Sequence, residues 1–167
     1  MSHFITPSPH PFSHHYAVAC AVGKLYLEEG FTCFFMETST RVLIYEDNAD
    51  LRVSLGELLS QAPGLELAGA LGNCTRVEDD LARLHPDVVL MDIDMPGSSG
   101  IEGLRRIKAV APQVHVVMLT VFEENSRVFQ AVCAGADGYL LKKTPPAKII
   151  DAVAEVRAGG APMTPGI

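Results

Sequence analysis

The sequence is short of basic residues, and this deficit argues against one large class of function. Its 167 residues contain 13 lysines and arginines against 20 aspartates and glutamates, which gives a net charge of −7 with histidine neutral. Surfaces that bind nucleic acid are usually basic, so this charge argues against a DNA- or RNA-binding surface within the chain. It leaves open a partner that makes the DNA contacts itself.

Paired cysteines and long apolar runs are also missing. Cys20, Cys33, Cys74 and Cys133 form no CxxC pair, and none has a histidine at metal-ligand spacing. We therefore expect free thiols in a reducing compartment rather than disulfides or a zinc site. No apolar run is long enough to span a bilayer, and the N-terminus lacks the basic region of a signal peptide. These absences predict a cytoplasmic protein without membrane contact.

The composition of the first 40 residues differs from that of the rest. The stretch SHFITPSPHPFSHH is rich in proline, serine and histidine, which favours irregular chain. We expect residues 1–40 to be a poorly ordered extension, or the result of a start codon assigned too far upstream, since Met36 would make a natural first residue. The regular pattern occupies residues 41–160, and residues 161–167 would begin a linker.

From residue 41 onward, predicted strands and helices alternate five times. The strands are short, largely apolar runs, namely RVLIY, LELAGAL, DVVLMD, VHVVMLT and DGYLL. Apolar residues recur at helical spacing between them. Thr75 with Glu78, and Ser99 with Glu102, have the spacing of capping boxes at the start of the second and third helices. Five such units predict a parallel sheet with helices on both faces.

Polar residues follow or end four of the predicted strands. Glu46 and Asp47 follow the first strand, Asp92 ends the third, Thr120 ends the fourth, and Lys142 follows the fifth. Because the carboxyl ends of parallel strands meet at one edge of the sheet, these side chains should gather there. Three carboxylates in contact repel one another, and a hard cation such as Mg²⁺ would relieve that repulsion. With a lysine and a hydroxyl beside it, Asp92 could act as the nucleophile of a phosphoryl transfer.

The motifs around these residues resemble the receiver domain of two-component response regulators. The matching segments are VLIYEDN at 42–48, VVLMDIDMPGSSGIEG at 88–103, VVMLTVFEEN at 116–125 and AGADGYLLKKT at 134–144. GADGYLLKKT and the closing GGAPMTP are typical of receivers that precede a LuxR-type helix-turn-helix effector. The resemblance implies a CheY-like α/β fold, with five parallel strands in the order 2-1-3-4-5 and five helices on both faces.

The resemblance also implies who donates the phosphoryl group and what holds the metal. Asp92 would be phosphorylated by the phosphohistidine of a sensor histidine kinase. Glu46, Asp47, Asp92 and Asp94 would hold Mg²⁺, with Asp94 contributing its backbone carbonyl. In this family the positions two residues after the acceptor and two after the switch threonine, here Asp94 and Phe122, control access of water. A bulky Phe122 predicts a long-lived phosphoryl group.

Three further residues would convert phosphorylation into a signal. Lys142 would pair with the phosphoryl group or with Asp92, and Thr120 would bond a phosphoryl oxygen. Tyr139 would follow as the second switch residue, moving from exposed to buried. Their movement would change the surface of the fourth helix, fifth strand and fifth helix (α4-β5-α5 when only these elements are numbered), through which a homodimer would form. DNA would be contacted only through an effector domain absent from this chain.

Two other functions fit parts of the pattern. The Asp-x-Asp of DIDMPG resembles haloacid-dehalogenase-type phosphatases, but their nucleophile usually follows the first strand, whereas Asp92 ends the third. A standalone receiver or phosphate sink without DNA output shares every site residue, although GGAPMTP favours a regulator with an effector. We therefore expect a receiver that is not an enzyme. The Lys142–Lys143 peptide replaces the family's usual cis Lys-Pro bond, and the sequence leaves its isomer open.

Overall fold

The computed structural model describes residues 39–121, 124–165 and 167. Predictions about residues 1–38 and about Phe122 lie outside the described residues. No helix within the described ranges combines the length and the apolar content that crossing a lipid bilayer requires.

Five strands form the main sheet of the molecule. They are β1 (Thr40–Tyr45), β2 (Leu65–Leu71), β3 (Val88–Met91), β6 (His115–Thr120) and β7 (Gly138–Leu141). All neighbouring strands are parallel, in the order β2-β1-β3-β6-β7. Two short strands, β4 (Asp94–Met95) and β5 (Ser98–Ser99), form a separate antiparallel hairpin that the sequence did not predict. Without that hairpin, the strand order is the predicted 2-1-3-4-5.

Five helices connect the strands of the sheet. They are α1 (Ala49–Gln61), α2 (Val77–Leu84), α3 (Gly100–Val110), α4 (Asn125–Cys133) and α5 (Pro146–Arg157). The first is capped by Asn48, whose side-chain oxygen accepts a hydrogen bond from the Leu51 N–H at 3.0 Å. Pro146 lies in the first turn of α5, where a missing N–H breaks no helical hydrogen bond.

The two predicted capping boxes do not form. Arg76, not Thr75, stands at the N-cap of α2, and no side chain caps that end. The Thr75 hydroxyl instead donates to Asn73 Oδ1 at 2.6 Å, while Glu78 pairs with Arg106 of α3. Ser99 does stand at the N-cap of α3, but its side chain makes no capping hydrogen bond.

The core is divided into two hydrophobic clusters, one on each face of the sheet. Alternate strand residues feed them, so that Leu43 and Val89 join the cluster with α2 and α3, whereas Ile44 and Leu90 join the cluster with α1 and α5. The central strand β3 is therefore buried on both faces, with every residue at most 1% exposed. Double burial explains why the strands read as continuous apolar runs. It also leaves strand ends as the places for charge.

Candidate functional site

An acidic cluster lies at the carboxyl edge of the sheet. Glu46 and Asp47 directly follow β1, and Asp92 directly follows the adjacent β3. The N–H of Asp92 donates to the carbonyl of Tyr45 at 2.9 Å, which fixes the two strand ends side by side. One carboxylate oxygen from each of the three acids lies within 4.8 Å of the others. Glu46 and Asp92 are buried, whereas Asp47 is exposed.

Lys142 brings one positive charge into this cluster. Its Nζ donates to Asp92 Oδ2 and to Glu46 Oε1, each at 2.8 Å. Burial raises the pKa of both carboxyls, and the hydrogen bonds from Lys142 oppose that rise. Burial would lower the pKa of Lys142, but its bonds to Asp92 and Glu46 outweigh that effect and raise it. One ammonium against three carboxylates leaves the cluster two negative charges in excess.

The oxygens of the cluster fit a hard divalent cation. Both oxygens of the buried Glu46 carboxylate lie close to Lys142 Nζ, Oε2 at 2.7 Å and Oε1 at 2.8 Å. Asp47 adds an exposed carboxylate, and Asp92 Oδ1 accepts only a single described bond, from the Ile93 N–H at 2.7 Å. Carboxylate oxygens from three residues, within 4.8 Å of one another, are the kind of ligands that Mg²⁺ prefers. Glu46, Asp47 and Asp92 are therefore the residues of this cluster that could hold Mg²⁺.

Asp94 lies apart from the other carboxylates. Its side chain is half-exposed and accepts a hydrogen bond from Arg127 Nη1 of α4 at 2.7 Å. This ion pair raises the pKa of Arg127 and ties the hairpin after Asp92 to the first turn of α4. The Asp94 carboxylate is thus held by α4, and it is not one of the three carboxylates whose oxygens lie within 4.8 Å of one another. The predicted metal ligand is the backbone carbonyl of Asp94, and that role stays a prediction.

Both predicted switch residues are fully buried. Thr120 ends β6 opposite Leu141, and Tyr139 lies on β7 opposite Met118. Burial raises the pKa of the Tyr139 hydroxyl. The structure therefore holds Tyr139 in the buried state that was predicted to follow phosphorylation. Every described peptide bond is trans, including Lys142–Lys143.

The contacts of two arginines near the site were not predicted from the sequence. Arg52 of α1 donates to the carbonyls of Glu46 and Asp47, at 2.6 and 3.1 Å, and so fixes the loop that carries them. Arg127 pairs with Asp94 across 33 positions of sequence. Neither arginine belongs to the motifs, and only the folded chain brings them to the site.

The comparison with known families decides what this site belongs to. Residues 42–154 match the model of the response regulator receiver domain. The chain belongs to this family. It is a signalling receiver with the CheY-like fold, and not an enzyme, which removes the phosphatase alternative.

Curated relatives are named as response regulators or as transcriptional regulatory proteins. The transcriptional regulatory protein LnrK of Bacillus subtilis is 36% identical over 125 residues, which cover 75% of this chain and 57% of LnrK. The nitrate/nitrite response regulator NarP of Escherichia coli is 35% identical over 122 residues, covering 73% of this chain and 55% of NarP. This chain thus spans less than two thirds of the length of these two relatives.

Solved structures agree with this assignment. A LuxR-family response regulator from Aurantimonas sp. SI85-9A1 matches with a TM-score of 0.72 at 26% identity, covering 76% of this chain and 91% of that one. The receiver domain of the putative response regulator NarL from Mycobacterium tuberculosis matches with a TM-score of 0.69 at 26% identity, covering 72% and 98%. The receiver family is therefore shared with regulators of the LuxR type.

Proposed function

We propose that this receiver accepts a phosphoryl group on Asp92 from a sensor histidine kinase, with Mg²⁺ bound beside it. The observation that supports this most directly is the position of Lys142, whose ammonium is shared between Asp92 and Glu46 at 2.8 Å from each. A cation bound to the acceptor carboxylate is already in place to receive a phosphoryl oxygen. A second cation would neutralise the negative charge that Lys142 leaves uncompensated in the cluster.

The side chains of the site would divide the work of the transfer. Glu46, Asp47 and Asp92, with the backbone carbonyl of Asp94, would hold Mg²⁺, which would neutralise carboxylate and phosphoryl charge when bound. An Asp92 oxygen would attack phosphorus while the bond to the histidine nitrogen of the kinase breaks, leaving an acyl phosphate. The Ile93 N–H and Lys142 already fix the carboxylate from two sides, so little reorientation is needed.

The output would pass through Thr120 and Tyr139. The Thr120 hydroxyl would bond a phosphoryl oxygen, and the surface of α4, β7 and α5 (the predicted α4-β5-α5 surface) would respond and support a homodimer. On α4, Phe129 and Val132 expose apolar side chains that a second copy could cover.

Transcriptional control would need an effector domain, and the alternative is a phosphate sink without DNA output. The cytoplasmic location and the division into residues 1–40, 41–160 and 161–167 stay predictions.

Incubation with a small phosphodonor tests the proposed function. With acetyl phosphate and Mg²⁺, we expect intact-mass spectrometry to show the gain of one phosphoryl group, and peptide mapping to locate it on Asp92. EDTA should reduce the phosphorylated fraction by at least about tenfold, because the acidic cluster then lacks its second cation. A phosphoryl group on another residue, or equal labelling in EDTA, would contradict the proposal.

Replacing Thr120 by alanine should separate phosphorylation from output. Asp92, the other carboxylates of the cluster and Lys142 are unchanged in Thr120→Ala, so labelling by acetyl phosphate should continue. Dimerisation of the phosphorylated form should weaken by about tenfold, within the usual range of coupling between two sites. Sedimentation velocity with and without acetyl phosphate measures this, with Thr75→Ala, an exposed hydroxyl outside the site, as the control. Unchanged phosphorylation-dependent dimerisation would refute the switch role.

A further inference from the structure

The segment predicted to begin a linker is paired with the outer edge of the sheet. Residues Pro162–Thr164, here called the strap, lie parallel to β7. The Tyr139 N–H donates to the Pro162 carbonyl at 2.9 Å, and the Thr164 N–H donates to the Tyr139 carbonyl at 3.1 Å. The Leu141 N–H donates to Thr164 Oγ1 at 3.0 Å. The strap therefore occupies the main-chain groups that an edge strand otherwise leaves open.

The strap lies on the outer side of β7, and the strand on its inner side, β6, ends in Thr120. Along β7, the main chain of Tyr139 and the N–H of Leu141 face the strap, whereas the following N–H, that of Lys142, donates to the Thr120 carbonyl at 2.7 Å. One strand thus connects Thr120 and Lys142 on its inner side with the strap on its outer side. Tyr139 is the residue that the strap holds through both its N–H and its carbonyl.

Close packing makes the pairing specific to a glycine at position 138. A Cβ at Gly138 would lie 2.9 Å from both Cγ and the carbonyl oxygen of Pro162. A backbone oxygen cannot move away as a flexible side chain can, so any larger residue must displace the strap. The strap was missed because GGAPMTP contains neither an apolar run nor strand alternation, and its pairing depends on Gly138 leaving room.

We propose that the seated strap and the buried Tyr139 are one conformational state, which phosphorylation of Asp92 stabilises. This inference rests on the proposed function. Thr120 and Lys142 would both bind the phosphoryl group, and they contact β7 at the point where β7 meets the strap. If the phosphoryl group stabilises one position of β7, it also stabilises the contacts that β7 makes only in that position, which include those of the strap. The β7 edge is then closed to a second strand, so the second copy of the proposed homodimer would meet α4, α5 and the exposed Met163 of the strap.

Amide hydrogen exchange measured by NMR tests the coupling. The probe is beryllium fluoride with Mg²⁺, used as a phosphoryl analogue, as in a structure of the RcsB receiver domain. We expect it to slow exchange of the Tyr139 and Thr164 amides by about tenfold, a typical coupling between two sites. If the probe shifts the resonances around Asp92 but leaves these two amides unchanged, the strap inference is wrong. If it shifts nothing around Asp92, the proposed function itself fails.

A pair of glycine variants adds a reciprocal test. Gly138→Ala should speed exchange at Tyr139 and Thr164 and weaken probe binding, at most by the factor by which the probe slows exchange, since coupling is reciprocal. Gly69→Ala is the matched control, because its Cβ would also meet an atom at 2.9 Å, but that atom is the Leu84 Cδ1 methyl beside β2, at the opposite edge. Equal weakening of probe binding by both variants, or by neither, would overturn the inference.

Discussion

Asp92→Asn should abolish phosphorylation while leaving the fold intact. The amide matches the carboxylate in shape but is not a nucleophile, so labelling by acetyl phosphate should fall by at least about 100-fold. The variant also removes one of two buried carboxylates whose pKa is raised by burial. Lys142 keeps its partner Glu46, so we expect the free energy of unfolding to change by no more than about 1 kcal/mol. Intact-mass spectrometry and urea unfolding measure the two quantities.

Asp94→Asn is the matched control for this experiment. It makes the same chemical change two residues away, on a side chain that is held by Arg127 and is not one of the three clustered carboxylates. Because Asp94 would serve the metal through its backbone carbonyl, the initial rate of labelling of Asp94→Asn should stay within about threefold of the wild-type rate, as for a charge outside direct contact, whereas the later loss of the phosphoryl group can differ because this position is predicted to control access of water. Loss of labelling in Asp94→Asn, or its persistence in Asp92→Asn, would show that the acceptor has been assigned to the wrong residue.

The cluster at the sheet edge could be predicted because its geometry follows from topology. Once five strands are parallel, whatever follows β1 and β3 must meet, and Glu46, Asp47 and Asp92 do so. Lys142 follows the edge strand β7, two strands from β3, and its long side chain reaches back to Asp92. The residue types at the carboxyl ends of the strands are thus sufficient to predict which side chains form the cluster.

Contacts that depend on side-chain direction or on loop paths could not be predicted in this way. Arg127 pairs with Asp94 because a hairpin after Asp92 brings that loop to α4, and short hairpins leave no periodic signal. Thr75 was a reasonable helix cap by spacing, but the N-cap of α2 is the next residue, Arg76, and the Thr75 hydroxyl donates to Asn73 Oδ1. The strap depends on the space above Gly138, which is a property of packing and not of pattern.

Lys142→Met should be the most destabilising single change among the charged residues of the site. Methionine keeps the length of the side chain but removes the cation shared by Glu46 and Asp92, which are 1% and 4% exposed. Breaking a buried ion pair on one side leaves uncompensated charge, and such changes typically reduce the free energy of unfolding by about 3–5 kcal/mol. We expect a loss in that range in EDTA at pH 7, measured by urea unfolding.

Mg²⁺ should return part of the stability that Lys142→Met loses. A divalent cation bound by the same carboxylates replaces the missing charge, and binding to the folded state alone stabilises it by mass action. The increase in unfolding free energy between EDTA and Mg²⁺ should therefore be larger for Lys142→Met than for the wild type. Lys143→Met, which removes the same charge from the exposed neighbour, should change stability by less than about 1 kcal/mol in either buffer.

The dependence on pH separates lost charge compensation from lost packing in Lys142→Met. Burial already raises the pKa of Glu46 and Asp92 in the folded state, and removing Lys142 takes away the bonds that oppose this rise. Between the unfolded and the folded pKa the folded state binds more protons, so stability increases as the pH falls. In EDTA, the deficit of Lys142→Met against the wild type should therefore shrink from pH 7 toward pH 5. A deficit that stays constant over this range would instead assign the loss to packing of the lysine stem, and the charge argument for the site would be wrong.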